Sequence, residues 1–297
     1  MPPRPLAALL LVAAMALTGA NVAFGKAIVA AIPVYVFVLF RFAVASLALG
    51  PMARGEPGPK LSDMNRGQWR DLALMALLGM VGFTVLMLEG LKRTAAADAG
   101  IITATLPAVV AALGVLFAGD RLSRMQFLAV ALAVAGLVLV QATSAAGGSA
   151  TLVGNLLVVG AVLCEASFVI LGKRLALGAN LAGLVLAIPL ALLDAPSFHA
   201  GSVALEVWLL GTWYALSASV LCLWLWYGGL PYVDTWLAGL ATAAMPVAAL
   251  ATSALYLGEA IGPARLMGAT LVIAGIALGA LSPRVGNGPG SRPPPLA

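Results

Sequence analysis

Two charged side chains lie inside long apolar stretches of this chain, far from the polar segments that would hydrate them. Glu165 stands in the middle of an apolar run. A lone carboxylate is costly in hydrocarbon, so this side chain must face protein or water. It could hold an ammonium group or take up a proton; the alternative is a protonated or hydrogen-bonded carboxyl that only packs. Arg41 could bind a carboxylate through two parallel hydrogen bonds, but we prefer a structural arginine bonded to backbone carbonyls or to a partner acid.

Two threonines each precede a proline by four residues inside an apolar segment. They are Thr103 before Pro107 and Thr242 before Pro246. A proline removes one helical hydrogen bond and clashes with the carbonyl four residues earlier. We expect the freed threonine carbonyls to face a cavity as polar ligands, and the two prolines to act as gating or hinge points. The alternative is a threonine hydroxyl that bonds back to its own helix.

Aromatic and polar residues recur at helical spacing between residues 207 and 230 and would share one face. This face could form a wall against a bound side chain, although Trp and Tyr also collect at membrane interfaces. Trp213 and Ser217 lie deeper than the others and are retained as candidates, together with Asn21 and Thr84. The predicted solute-binding residues are Asn21, Thr84, Thr103, Glu165, Trp213, Ser217 and Thr242.

The common signatures of soluble enzymes are absent from the sequence. His199 is the only histidine, so an HExxH zinc site is excluded. The segment Gly19–Ala27 resembles a phosphate-binding loop, but it has five intervening residues instead of four and Ala in place of Ser or Thr. Cys164 and Cys222 lie in apolar segments, where they pack as small hydrophobic residues more readily than they pair. We expect no catalytic residue, metal or cofactor.

The composition assigns these residues to an integral membrane protein. The chain is 62% hydrophobic and 9% charged, with a mean hydropathy of +1.07, whereas soluble domains carry about 25% charged residues. Apolar runs of about 20 residues suffice to cross a bilayer as helices. We predict a polar loop at 54–70, a disordered cytoplasmic tail at 283–297, and ten membrane helices at 6–27, 34–52, 71–91, 95–117, 125–142, 153–172, 180–197, 207–230, 234–256 and 262–281.

The second half of the chain repeats the first. Adding 139 to the residue numbers of Gly90-Leu91, Gly100, Thr103 and Pro107 gives Gly229-Leu230, Gly239, Thr242 and Pro246. Five predicted helices in each half would make the second copy enter the membrane from the opposite side. The predicted fold class is therefore an all-α membrane protein of ten helices, built as two inverted five-helix repeats at 1–145 and 150–282. Such an architecture is typical of secondary transporters, with the substrate site between the repeats.

The N-terminus imitates a secretory signal peptide, but the repeat argues for a structural first helix, because Gly25-Lys26 matches Gly172-Lys173. Lys and Arg concentrate in cytoplasmic loops. With both termini in the cytoplasm, 11 of the 16 basic residues would be inside and four outside, while Arg41 stays in the membrane. The four outside residues would be Lys26, Lys92, Arg93 and Arg265.

The chain resembles the drug/metabolite transporter superfamily, specifically its tandem EamA-type proteins, over nearly its whole length. The resemblance rests on Pro33, Arg41-Phe42, Gly90-Leu91, Ala95, Gly100, Leu106-Pro107, Gly119-Leu122 and Ala135-Gly136, then on Met245-Pro246, Gly258-Glu259 and Ala274-Gly275. Asp120 departs from the usual Glu, and the seventh predicted helix lacks a partner for Arg41. By length and helix content the chain looks most like bacterial amino-acid exporters of the YddG type. That resemblance implies a cavity lined by helices 1, 3, 4, 6, 8 and 9, with helix 2 peripheral.

These observations predict a secondary transporter of the bacterial inner membrane. We expect it to export amino acids or similar small zwitterionic metabolites by alternating access, driven by the substrate gradient. A proton-coupled exporter of drugs or other metabolites is the alternative within transport. A membrane-embedded enzyme and a passive structural subunit are the other classes. Its partners would be the small-molecule substrate and membrane lipid, with no nucleic acid and no obligatory protein partner; substrate, coupling ion and oligomeric state stay open.

Overall fold

The computed structural model describes residues 4–51, 64–113, 123–145, 149–171, 176–233, 238 and 240–281. Within these ranges we number the main helices in chain order. The tail at 283–297, most of the loop at 54–70, and Asp120, Lys173 and Arg174 lie outside the described residues. The helices are α1 Arg4–Val29, α2 Val34–Leu49, α3 Arg66–Leu91, α4 Ala96–Thr103 continued by Leu106–Leu113, α5 Arg124–Ala145, α6 Ser149–Leu171, α7 Ala176–Asp194, α8 Leu205–Tyr232, α9 Ala244–Leu257 and α10 Pro263–Leu281.

The predicted helical membrane class is confirmed, but the ten predicted crossings are supported only in part. Three helices are long and apolar enough to span a bilayer by themselves, namely α1, α3 and α8. The other apolar stretches that the structure describes are 10–17 residues long. Large apolar side chains point outward from the protein, as at Leu47 and Leu255, which are 78% and 88% exposed. Such a surface suits lipid, because in water an apolar patch of this kind would favour association.

Two of the long helices contain a π-helical segment at corresponding positions. In α3 this segment is Met75–Gly82, and in α8 it is Ser217–Leu221. The offset of 139 residues places Ser217–Leu221 opposite the last five residues of the α3 segment. A π-helical turn holds an extra residue and often occurs at functional sites. The wider turn changes which side chains face the protein interior.

The fourth and ninth helices are interrupted close to their prolines. In α4 the interruption is Ala104-Thr105, before Pro107, and ahead of α9 it is Thr242-Ala243, before Pro246. Since both interruptions fall within one residue of the same repeat position, each half carries a break at an equivalent depth. A proline-associated break is a natural bending point in a membrane helix.

Helices of one half pack on helices of the other half in matching pairs. Extensive contact joins α5 to α10, and α2 packs on α7. The contact of α1 with α8 is matched by that of α6 with α3, and the contact of α1 with α9 by that of α6 with α4. This pattern is the one expected for two similar units around an approximate two-fold axis, where contacts are reciprocal.

Two equivalent glycines make the α5–α10 contact reciprocal at the level of atoms. A Cβ added to Gly136 would lie 2.8 Å from the carbonyl oxygen of Gly268, and one added to Gly275 would lie 2.7 Å from that of Ala129. Gly268 and Ala129 are themselves equivalent at the same offset of 139 residues. Because residue numbers rise along one helix as they fall along its partner, the two helices are antiparallel. The backbones can approach this closely only without side chains.

We expect Gly136→Ala and Gly275→Ala each to lower the thermal stability of the protein in detergent. The added methyl group meets a backbone carbonyl that cannot move away cheaply, and overpacking of this kind costs about 1–3 kcal/mol. The matched control is Gly228→Ala, whose new methyl group would find its nearest atom, on Leu10, at 3.9 Å. Size-exclusion chromatography after heating measures the protein that stays folded and so gives the melting temperature. Equal melting temperatures for all three variants would contradict the close contact.

Candidate functional site

Five mostly polar residues meet between α1, α2, α3 and α8, and we call them the inner polar cluster. They are Asn21, Arg41, Thr84, Tyr214 and Ser217. Each of these residues is at most 7% exposed. Three of them were predicted to bind solute, whereas Tyr214 was missed and Arg41 was assigned to structure. The cluster therefore brings together three predicted solute-binding residues with two residues, Arg41 and Tyr214, that were not predicted to bind solute.

Asn21 and Ser217 join α1 to α8. The Ser217 hydroxyl lies 3.0 Å from the Asn21 Oδ1 and 3.2 Å from the Tyr214 carbonyl oxygen. Ser217 is the first residue of the π-helical segment in α8 and is fully buried. The Nδ2 atom of Asn21 has no hydrogen-bond partner among the described residues. A buried amide normally finds partners at both ends, so this donor needs an explanation.

Arg41 projects from α2 into the same cluster. Its guanidinium carbon lies 5.5 Å from the ring centres of both Phe42 and Tyr214, and its Nη1 donates to the Thr84 hydroxyl. Its Nε has no partner within the described part of the chain. The predicted partners of a structural Arg41, backbone carbonyls or an acid, are thus replaced by aromatic faces and one hydroxyl. The side chain of this residue is 93% buried although the family resemblance implied a peripheral second helix.

Glu165 belongs to α6 and interacts electrostatically with Tyr214. Its side chain is half-buried. The preceding residue, Cys164, packs against Gly82 at the end of the π-helical segment of α3. The Arg41 cation and the Glu165 carboxyl therefore both lie within electrostatic range of Tyr214. The substrate role of Glu165 stays a prediction, while its position on an inward-facing part of α6 fits that role.

Both predicted threonine sites make local hydrogen bonds. The Thr103 hydroxyl donates to the Ala99 carbonyl at 2.7 Å, which is the alternative of a hydroxyl bonded to its own helix. The Thr242 carbonyl accepts the Met245 N–H at 3.1 Å, because the chain turns tightly before α9 and supplies a donor three residues on. Pro107 is exposed and Pro246 is buried. Their hinge role stays a prediction, as does solute binding by both threonines.

The predicted aromatic wall of α8 is not assembled as a unit. Trp213 is 44% exposed and Trp224 is 63% exposed, whereas Ser217 is fully buried. The π-helical segment at Ser217–Leu221 takes Trp224 out of the 3.6-residue period, whereas Trp213 precedes this segment. Trp213 lies outside the inner polar cluster, and its neighbour Tyr214 occupies the inward position.

A second polar region lies at one end of the helices, in a cavity of about 690 Å³ that we call the basic end pocket. It contains all four basic residues that the charge pattern assigns to the outside. The helix α1 ends at this pocket whereas α6 begins there, at Thr151, so these two equivalent helices run in opposite directions. The basic residues are Lys26, Lys92, Arg93 and Arg265, and the lining acids are Asp98 and Glu259.

Glu259 links three elements in this pocket. Its carboxylate accepts Lys26 Nζ at 2.7 Å and the backbone N–H groups of Ala96 and Ala97 at 2.9 and 3.0 Å, which caps α4. Burial alone would raise the pKa of Glu259, but the hydrogen bonds from Lys26, Ala97 and Ala96 outweigh burial and hold the pKa below its usual value. The stabilisation from this link is therefore lost only as the pH falls through the lowered pKa.

A second ion pair stands beside this link. Arg265 Nε lies 2.6 Å and its Nη2 3.2 Å from the two carboxylate oxygens of Asp98, in a bidentate arrangement. The pair joins the first turn of α4 to the first turn of α10. Asp98 was not among the residues predicted from the sequence to bind solute. The Gly258-Glu259 pair was visible in the repeat, but its partners lie more than 160 residues away along the chain.

The described part of the chain holds no group of three His, Cys, Asp or Glu residues that could bind a metal ion. A buried arginine, amide and hydroxyls close to a carboxyl can bind groups of opposite charge without any covalent step.

Comparison with known proteins agrees with this arrangement. The EamA-like transporter family matches the chain twice, over residues 5–142 and 152–280. The chain is 30% identical over 282 residues to a Bacillus subtilis (strain 168) protein named "Uncharacterized transporter YetK", over 90% of this chain and 84% of that protein. One crystal structure shares the fold, with a TM-score of 0.63 and 21% identity over 93% of this chain and 96% of that one. The chain is a multi-pass membrane protein with tandem EamA domains, and it belongs to the EamA-like transporter family.

Proposed function

We propose that this protein exports amino acids or other small zwitterionic metabolites from the bacterial cytoplasm. The observation that carries this proposal is the buried inner polar cluster, in which the Arg41 guanidinium of α2 lies 5.5 Å from the centre of the Tyr214 ring, with the Glu165 carboxyl of α6 within electrostatic range of the same ring. A zwitterion carries both charges and needs an opposite charge for each. Charged residues at membrane depth are expensive and are kept mainly for substrate or ion pathways.

Transport by alternating access is supported by the matched packing of the two halves. The antiparallel α5–α10 contact and the opposite directions of α1 and α6 fit ten crossings arranged as an inverted repeat. In such a protein the two halves exchange shapes about a site between them. The breaks at Ala104-Thr105 and Thr242-Ala243 supply bending points in both halves.

The ionic links in the basic end pocket support the view that the transport path is closed at this end. Glu259 holds α1 and α4 together, and the Asp98–Arg265 pair holds α4 to α10. Opening this end requires that both links separate. We propose that the pocket faces the outside of the inner membrane, because it collects the four basic residues that the charge bias places there.

The runner-up function is proton-coupled export of drugs or other metabolites. Glu165 and Asp98 are the two acids that we consider as proton carriers. Asp98 makes a bidentate pair with Arg265 and would have to leave this partner before it could take up a proton. Of the two acids, this leaves Glu165 as the candidate proton carrier. Because a single candidate remains, we prefer the gradient-driven mechanism and test energy coupling separately. A membrane-embedded enzyme, the distant alternative, would need a nucleophile–base pair or a metal site.

The orientation of the two halves can be tested by labelling single cysteines in intact cells. After Cys164 and Cys222 are replaced by Ser, Ser123→Cys and Gly262→Cys are introduced separately near equivalent ends of α5 and α10. An impermeant maleimide should label the Gly262→Cys protein in intact cells and the Ser123→Cys protein only after lysis, because inverted halves expose these ends on opposite sides. Labelling of both cysteines from the same side would exclude the inverted repeat.

Substrate recognition by Glu165 can be tested with Glu165→Gln in liposomes. If the carboxylate holds an ammonium group, the neutral amide should reduce amino-acid efflux by about tenfold or more, as expected for a lost charged hydrogen bond of about 1.5–3 kcal/mol. Glu206→Gln, which changes an exposed acid in the first turn of α8, serves as the matched control. Wild-type efflux with wild-type thermal stability would remove Glu165 from the site.

Energy coupling is tested by a pH gradient across liposomes that hold equal substrate concentrations on both sides. A gradient-driven exporter should not concentrate the substrate under a pH gradient of either sign, because no proton moves with it. Radioactive substrate counted inside the liposomes over time gives the result. Uphill accumulation that follows the proton gradient, and is lost in Glu165→Gln, would establish the proton-coupled alternative instead.

A further inference from the structure

Two hydrogen-bond donors in the inner polar cluster are buried without partners among the described residues. They are the Nε of Arg41 and the Nδ2 of Asn21, on side chains of residues that are 7% and 5% exposed. An unsatisfied buried donor costs about 1–3 kcal/mol, and more when it is charged. Lipid hydrocarbon supplies no acceptor for such a donor either. The cluster is therefore short of acceptors.

The two donors lie around the same residue, Tyr214. Arg41 stands over its ring at 5.5 Å, and Asn21 reaches its backbone through the Ser217 hydroxyl, with contacts of 3.0 and 3.2 Å. Gly25, one helical turn after Asn21, faces the Tyr214 ring, and a Cβ there would lie 3.4 Å from it. The absence of a side chain at this position keeps α1 close to the ring. The donors thus belong to one locus between α1, α2 and α8.

The described partners of Arg41 are also neutral groups. The ring contacts and the Thr84 hydroxyl are the described partners of Arg41, and an aromatic face or a neutral oxygen stabilises a guanidinium less than an anion does. Surrounding apolar side chains, Phe37 and Leu88 among them, are fully buried and keep the local dielectric low. A low dielectric strengthens any charged hydrogen bond that is made there.

We propose that Arg41 and Asn21 bind the carboxylate group of the transported solute. The guanidinium presents Nε and a terminal N–H as a fork, which matches the two oxygens of a carboxylate, and the Asn21 amide adds a third donor. This inference rests on the proposed function and deepens it, because it assigns one pole of the zwitterion to α1 and α2. Entry of the solute requires movement of α1, α2 or α8, since the locus is closed to solvent.

The test separates binding from transport. Purified full-length protein in detergent is heated with leucine or with leucinamide, which differ only in the carboxylate, and the melting temperature is recorded. Leucine should raise the melting temperature and leucinamide should not. Efflux of both compounds from liposomes is measured in parallel, with a roughly tenfold preference for leucine expected from one charged fork.

Two variants attribute the preference to the locus. Arg41→Lys keeps the charge and removes the fork, and should bring the leucine-to-leucinamide ratio close to one. Asn21→Asp keeps the shape of the side chain but places a negative charge in the locus. It should abolish stabilisation by leucine while preserving the fold. Arg124→Lys, at an exposed position at the start of α5, is the matched control and should keep the wild-type preference.

The outcomes are distinct. Stabilisation by leucine but not by leucinamide, without efflux of either, would leave the carboxylate site standing and overturn export. Equal efflux of both compounds in the wild type, or an unchanged preference in both Arg41→Lys and Asn21→Asp, would overturn the carboxylate site and leave export standing. If Arg41→Lys does not fold, the Asn21→Asp protein decides the question by itself.

Discussion

Polar groups that enter the hydrocarbon core must find their partners inside the protein, and this constraint organises the molecule. Backbone groups satisfy it by forming helices throughout the described residues. Side chains satisfy it by local bonds, as the Thr103 and Ser253 hydroxyls do with carbonyls of their own helices. Among the described residues the exceptions include Ser46 Oγ and two donors that lie close together, those of Arg41 and Asn21 around Tyr214. Under the proposed function, these are the donors that a bound solute would satisfy.

Close backbone contact holds the frame around this locus. Small residues at Gly136 and Gly275 let α5 and α10 approach, and Gly19 and Gly100 do the same where α1 and α4 meet α9. Such contacts stabilise membrane helices by packing alone, because lipid offers no hydrophobic drive between them. The ionic links of Glu259 and Asp98 act only at one end, which leaves the middle of the helices free to bend at the breaks.

Much of the fold was predictable from sequence, while the site was predictable only in part. The repeat and the apolar runs gave the membrane class, the family and the positions of the breaks, because these depend on residues close together in the chain. Asn21 and Ser217 were predicted individually, and they do meet. Helical spacing selected Trp213 rather than Tyr214, because both lie within about one turn of Ser217 and spacing alone does not tell which of the two faces the protein interior. The cap that Glu259 places on α4 depends on tertiary contact across the whole chain.

The reciprocal contact of Gly136 and Gly275 has an evolutionary reading. Contacts in which each partner offers the same surface are those of a symmetric homodimer, so two separate five-helix copies could have made this interface before a single chain joined them. Covalent joining then frees the copies to differ. In the first two helices of each half the offset is 147 residues, as for Gly25-Lys26 and Gly172-Lys173. At this offset Arg41 stands opposite Ile188 and Glu165 opposite Thr18, so each half carries a charge that the other half lost or never had. Such divergence turns a symmetric shell into a receptor with unlike poles, which a symmetric dimer of identical chains cannot offer to a single small solute.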